Sequence, residues 1–305
     1  MPLKNKKLII RLALFLFSAV ILIYVPVAAS RMYGSASAES EMTVLSVWEI
    51  DTFEGGKGSR ATYLQKVGKD FYENCYVTVT SLTAEAARAN LKNGTCPDLI
   101  SYGAGIYGIE NYLYGETPYY TWCNGGYCIL TVNETADFSD VNASNTVINV
   151  GVDNLSAVAA VLNNLGGAKT DKPTGAYVRL INGEFKYLFG TQRDIYRLKT
   201  RGVAFKIQPA TEFNDLYQNI SITTSEAKKQ VVAQKFIDKL LADKSGLTSL
   251  GLMSDGNKLY DDEMRQMEGI TYGKTLRYPL SETMKNELLT AAANSDVKKL
   301  KSLLN

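Results

Sequence analysis

Apolar and β-branched positions alternate from Thr43 to Ile50, which predicts a strand. A loop with Gly55, Gly56 and Gly58 follows. Leu64, Val67 and Phe71 then fall on one helical face. Tyr76–Leu82 reads as a second strand. Thr83 is placed to cap a helix that runs to about Lys92 and closes at Gly94. Leu99–Tyr102, after Pro97-Asp98, is a third strand. The order β-α-β-α-β predicts a parallel sheet with helices on its faces. Ligands of such sheets bind beyond the carboxyl ends of strands, which directs attention to Trp48–Asp51 and Tyr102–Gly105.

Further along, residues 119–132 read as a hairpin turning at Asn124-Gly125-Gly126. Residues 146–152 read as a strand. A helix follows, with Leu155, Val158, Ala159 and Leu162 inward, capped by Asp153 and closed by Gly166-Gly167. Residues 175–207 alternate short strands with a helix near Thr191–Lys199. Residues 209–222 are irregular, then extended. Ser225 opens a long helix bearing Val232, Phe236 and Leu240, and three short helical stretches follow Gly256.

The first forty residues differ from the rest. Lys4, Lys6, Lys7 and Arg11 precede an apolar run from Leu12 to Ala29, and Ala36-Ser37-Ala38 fits a small-residue cleavage site. Residues 1–38 are a signal peptide or, the run being nearly long enough to span a bilayer, an uncut anchor. Either way the positive flank stays inside and the remainder crosses the membrane. No cysteine precedes Cys75, which excludes a lipid-anchored start.

Composition narrows the chemistry. The 305 residues are 46% hydrophobic and 21% charged, as in an ordinary folded protein. The net charge of +2 misleads, because Lys4, Lys6, Lys7, Arg11 and Arg31 all precede residue 39 and no acid does. The body is mildly acidic, which argues against a nucleic-acid partner. Histidine is absent, which removes the commonest general base and metal ligand and excludes Ser-His-Asp and Cys-His catalysis. No metal site or cofactor is expected. The glycines at 55–58 lack phosphate-loop spacing and more plausibly serve a tight turn. Cys75 with Cys96, and Cys123 with Cys128 across the hairpin, could pair as local disulfides, the alternative being four thiols.

The stretch Trp48-Glu-Ile-Asp-Thr-Phe-Glu-Gly-Gly-Lys-Gly-Ser-Arg60 resembles bacterial extracellular solute-binding proteins of ABC importers, of the sugar-binding type. Three further stretches carry the same resemblance in order. They are Pro97-Asp-Leu-Ile-Ser-Tyr-Gly103, Leu188-Phe-Gly-Thr-Gln-Arg-Asp-Ile-Tyr-Arg197 and Phe213-Asn-Asp-Leu-Tyr-Gln218. The resemblance implies an α/β fold of the two-lobed, type II periplasmic-binding-protein-like kind, with hinge crossovers and a cleft between the lobes. It implies lobe one at 43–133 plus 209–255 and a shortened lobe two at 134–208 plus 256–305. The crossovers would lie near Val132 and at Lys206–Phe213.

A sugar site needs aromatic faces and planar polar groups. Trp48, Tyr102, Trp122, Tyr127 and Tyr217 are candidate platforms, each near a strand end or turn; the competing reading makes them core. Glu49, Asp51, Arg60, Gln192, Arg193 and Asp215 are candidate polar contacts, or, for the arginines, structural ion pairs. The expected function is an exported, monomeric receptor that captures a small solute and delivers it to a membrane permease. A membrane-tethered sensor or assembly protein that does not transport is the alternative. A carboxylate enzyme using Glu49 and Asp51, about 7 Å apart on one strand face, is the third and least supported reading.

Overall fold

The computed structural model describes residues 42–50, 59–71, 74–113, 119–151 and 154–305. The N-terminal segment, Asp51 with most of the glycine loop, and Asp153 lie outside the described residues.

The chain builds β1 (Thr43–Ile50), α1 (Ser59–Lys69), β2 (Cys75–Leu82), α2 (Ala84–Lys92) and β3 (Leu99–Gly103). Thr83 Oγ1 accepts the Ala86 N–H at 3.2 Å, so α2 starts where the sequence places its cap. Its buried residues Ala84, Ala87 and Leu91 form one inward stripe. Then come β4 (Tyr120–Asn124), β5 (Tyr127–Thr131), β6 (Thr146–Asn149), α3 (Ser156–Leu162), β7 (Lys169–Asp171) and α4 (Pro173–Ile181). The rest is β8 (Tyr187–Thr191), α5 (Gln192–Thr200), β9 (Lys206–Pro209), β10 (Phe213–Asn214), β11 (Tyr217–Ile222), α6 (Ala227–Ala242), β12 (Lys274–Thr275), α7 (Glu282–Ala293) and α8 (Val297–Leu303). Two of these differ from the pattern reading. A helix, α4, replaces a short strand after residue 173, with Pro173 in its first turn. α1 ends at Lys69, before Phe71.

Two five-stranded sheets result, ordered β2-β1-β3-β11-β4 and β7-β6-β8-β5-β9. In the first, β1 and β3 run parallel, and β11 is antiparallel to both β3 and β4. In the second, β6 is parallel to β7 and β8, and β5 is antiparallel to β8 and β9. Each sheet is packed on both faces. Leu64 of α1 and Phe236 of α6 share a core with Leu45 and Trp122, while Ala87 and Leu91 of α2 pack on Ile50 and Ile100 opposite. In the second lobe, Val158, Leu288 and Leu300 of α3, α7 and α8 meet Ile148 and Phe189. Leu180 and Ile195 of α4 and α5 meet Val147 and Leu188 on the other side. This is the two-lobed α/β fold with hinge crossovers. The second lobe is short in its pieces, with three residues in β7 and seven in α3, yet its sheet has as many strands as the first.

The expected hairpin is not one. β4 pairs with β11, Asn124 opposite Tyr217, whereas β5 pairs with β8 and β9 in the other sheet. Gly125-Gly126 is therefore a crossover between the sheets, and the first crossover lies there rather than near Val132. A hairpin turn projects into solvent, but here every residue from Trp122 to Thr131 is buried. The second crossover is the stretch 210–216, and the chain passes the hinge again where Met253 bridges Asn124. No disulfide joins Cys75 to Cys96 or Cys123 to Cys128; Cys123 and Cys128 lie on strands of different sheets, so the cross-turn geometry behind their expected pairing is absent.

Candidate functional site

Strand direction determines which ends of the two sheets meet. Gln218 of β11 lies opposite Gly103, so the start of β11 and the end of β4 sit at the carboxyl end of β3. Tyr127 of β5 lies opposite Thr191, at the carboxyl end of β8. Two residues join Asn124 to Tyr127, so the carboxyl ends of both sets of parallel strands come together at the hinge. Sheet order reverses between β1 and β3 and again between β6 and β8, the positions where open α/β sheets receive ligands.

Most sequence-predicted residues reach this face or the core beside it, where they act on one another. Trp48 is buried in the β1–α2 core. Arg60 Nε donates to Glu49 Oε1 at 3.4 Å, and Ser81 Oγ donates to Glu49 Oε2 at 3.3 Å. Burial pushes the Glu49 carboxyl up and the Arg60 guanidinium down, while the charge of each partner opposes the shift. Tyr102 shares a hydrogen bond of 3.1 Å with Ser221 Oγ, and burial pushes its phenol up to about 12. Trp122 stacks on Tyr63 and donates to Ser101 Oγ at 3.1 Å, so its face is taken. Arg193 Nη1 donates to the Leu250 carbonyl at 2.8 Å.

Three of the candidates hold the crossovers. Gln192 Oε1 accepts the Gly126 N–H at 3.0 Å, and the Gln192 N–H donates to the Gly126 carbonyl at 3.0 Å. The Tyr127 hydroxyl donates to Asp215 Oδ1 at 2.6 Å, and the Leu155 N–H donates to Asp215 Oδ2 at 2.9 Å. Asp215 thus ties the second crossover to the first residue of β5 and to the start of α3. Burial raises its carboxyl to about 6, against the pull of these two donors and of the Lys285 charge. Arg193 and Asp215 act apart.

An open cavity of about 240 Å³ lies against the hinge, lined by Asn124 and Tyr217 from the first sheet and by residues 253–256 and 267–272 with Thr275 and Arg277. Among the described residues, Tyr217 alone of the predicted candidates reaches it. Its polar wall includes Asn124, Asp255, Glu268, Tyr272 and Arg277. The Arg277 guanidinium lies 4.1 Å above the Tyr217 ring and donates from Nη1 to Asp255 Oδ2 at 2.6 Å. Asn124 Oδ1 is buried with no hydrogen-bond partner among the described residues. Glu268 is held by the Leu259 N–H at 2.6 Å and the Tyr260 N–H at 3.3 Å. Sequence reasoning misses Asp255, Tyr272 and Arg277. Asp255 arrives through the Met253–Asn124 bridge, and Tyr272 and Arg277 flank β12, which pairs with β10; neither a lone bridge nor a two-residue strand leaves a periodic signal.

No ligating cluster of His, Cys, Asp and Glu occurs among the described residues, and no helix there is long and apolar enough to cross a membrane. No protein-family model matches this chain, and neither does any curated protein. Among solved structures it is similar to the substrate binding domain of a putative molybdenum ABC transporter from Clostridium difficile. That match has 12% identity and a TM-score of 0.48, and covers 70% of this chain and 99% of that one. It is also similar to a mutant regulatory domain of OxyR2 from Vibrio vulnificus, at 9% identity and a TM-score of 0.45, over 67% of this chain and 97% of that one.

Proposed function

We propose that the protein is an extracytoplasmic solute-binding receptor that captures a small polar solute between its lobes and presents it to the permease of an ABC importer. One observation carries this reading. Two sheets whose carboxyl ends meet are joined through Gly125-Gly126, and a polar cavity opens beside that joint with walls from the first sheet and from the segment that follows α6. A solute seated there would touch Tyr217 of the first sheet and Met267, which packs in the core of the second lobe, and so bear on their relative position, which is what hinge closure requires. The basic and apolar start of the chain supports export, and the four stretches that resemble solute-binding proteins support the transport role. The resemblance suggests a carbohydrate. The cavity, smaller than the roughly 300–1,000 Å³ of drug-sized sites, suits at most a single small solute.

The test is a thermal-melting screen of the full chain against monosaccharides, oligosaccharides, amino acids and oxyanions. A receptor gains stability as RT ln(1 + [L]/Kd), so its melting temperature rises with ligand concentration. A cooperative melt that no compound moves would count against the receptor reading.

A second reading, a tethered protein that does not transport, is favoured by a specific feature. The strap from Gly273 to Leu280 runs along the second crossover and then onto the first lobe. Gly105 N–H donates to the Tyr278 carbonyl at 3.1 Å and Leu280 N–H to the Ile106 carbonyl at 2.7 Å. Asn219 Nδ2 donates to the Arg277 carbonyl at 2.9 Å. These bonds cross at the carboxyl end of β3 and oppose opening. Small-angle scattering with and without a bound solute separates the readings: a ligand-dependent decrease in radius supports transport, and an unchanged radius supports the tethered role.

A further inference from the structure

We propose that the hinge cavity takes a small zwitterion, an α-amino acid, rather than a sugar. The proposal rests on the receptor reading and names the solute class. A sugar platform needs a free aromatic face, and the Tyr217 ring is 1% exposed with the Arg277 guanidinium 4.1 Å above it. What the wall offers instead is separated charge and an unmet acceptor.

Arg277 presents a planar fork suited to a carboxylate. Its present partner, Asp255, is half exposed, and a partly exposed ion pair is weak and readily exchanged. Asn124 lines the cavity and its Oδ1 is buried without a donor, so a ligand ammonium supplies one once the amide turns toward the cavity. Asp255, once released from Arg277, and the Glu268 carboxylate add negative potential on the same wall. A carboxylate toward Arg277 and an ammonium toward Asn124 satisfy both ends with one small molecule. A monosaccharide brings no anion to exchange for Asp255 on the guanidinium, and a dicarboxylate sets its second charge against Glu268. The volume of about 240 Å³ admits a short side chain.

The test is isothermal titration of the full chain at low ionic strength with glycine, L-alanine, L-serine, glucose and succinate. The amide and the N-acetyl derivative of the amino acid that binds best are then titrated. The expected result is saturable binding of an amino acid. Loss of the carboxylate or of the ammonium should weaken it about tenfold or more. Arg277→Met should weaken it by a similar factor and Arg277→Lys by less, with both variants melting cooperatively without ligand. Glucose binding that the cavity-filling Thr275→Trp abolishes would overturn the zwitterion and leave the receptor standing. Amino-acid binding indifferent to Arg277→Met would also overturn the proposal, because the seat would lie elsewhere. Silence across the panel from a folded chain would overturn both readings.

Discussion

The two lobes share a strand arrangement, but a carboxylate buried inside the first lobe and one buried at the hinge edge of the second are compensated in different ways. The first encloses Glu49 with Arg60, anion against cation, both nearly inaccessible. The second, at its hinge edge, encloses Asp215 against a phenol and a backbone N–H, with a cation acting only at a distance. A carboxylate compensated by a guanidinium holds its charge as long as the guanidinium stays. One compensated by neutral donors gains a proton as the pH falls toward its own pKa. The first lobe is therefore built as an internally neutral body, and the hinge edge of the second as a pH-responsive one.

The largest effect expected from this contrast lies in the first lobe. Arg60→Met leaves Glu49 buried beside Ser81 alone, and breaking a buried pair from one side costs about 3–5 kcal/mol. The double variant Glu49→Gln with Arg60→Met should recover most of that loss, because no charge is then left uncompensated. Urea denaturation of the parent and the two variants measures both quantities. A double variant no better than Arg60→Met alone would mean that Arg60 acts by packing and not by charge.

The next effect lies at the hinge. The Asp215 carboxyl is raised from its ordinary value to about 6, so the folded chain holds a proton that the unfolded chain releases near pH 4. Its contribution to stability is full below pH 4 and is lost as pH rises through 6. The loss approaches about 3 kcal/mol, from roughly two pKa units at 1.36 kcal/mol each. Asp215→Asn keeps an acceptor for the Leu155 N–H and a donor toward Tyr127, and should remove this slope. Melts between pH 4 and 7 check it. Parallel slopes in the parent and the variant would assign the pH dependence to other groups.

Much of the first sheet was legible in the sequence, because alternation, a Thr cap and a Gly stop agree at each element from β1 to β3. The crossover was not. Trp122, Cys123, Tyr127 and Cys128 flank Asn-Gly-Gly as hairpin strands do, and local pattern cannot tell whether two strands pair with each other or with partners almost a hundred residues away. Gln192 and Asp215 were legible as polar residues worth noting, but what they hold depends on strands meeting end to end. The strap was invisible for the same reason: Arg277 and Tyr272 become site residues only through pairing of β10 with β12.

The crossover itself can be probed at a smaller scale. A Cβ on Gly125 would collide with the end of the Gln192 side chain, and one on Gly126 would sit 2.6 Å from the Tyr272 hydroxyl. Gln192 is buried and already bonded to Gly126, so it cannot move away freely. Gly125→Ala and Gly126→Ala should each cost about 1–3 kcal/mol, as overpacking does. Tyr272→Phe should rescue Gly126→Ala and leave Gly125→Ala unchanged. Rescue of neither, read from denaturation midpoints, would mean that backbone conformation and not crowding with the Tyr272 hydroxyl sets the cost at Gly126.

The smallest expected difference returns to the two lobes through their helix starts. In the second, Thr191 Oγ1 accepts the Arg193 N–H at 3.3 Å while Asp194 Oδ2 accepts the Thr191 N–H at 3.0 Å, a reciprocal capping box. Asp194 also accepts from Asn149 Nδ2 at 2.9 Å and from Arg197 Nη1 at 3.0 Å, so the cap is welded to the end of β6. In the first lobe Thr83 caps α2 with one bond at an exposed position. Cap removal typically costs about 1 kcal/mol within a range of 0.5–2. Thr191→Ala should fall in the upper part of that range and Thr83→Ala in the lower part, with Ser restoring each. Denaturation midpoints at constant slope give the comparison. A Thr83→Ala loss equal to or above that of Thr191→Ala would show that the Asp194 network, with its Arg197 ion pair, holds the end of β6 without help from the cap.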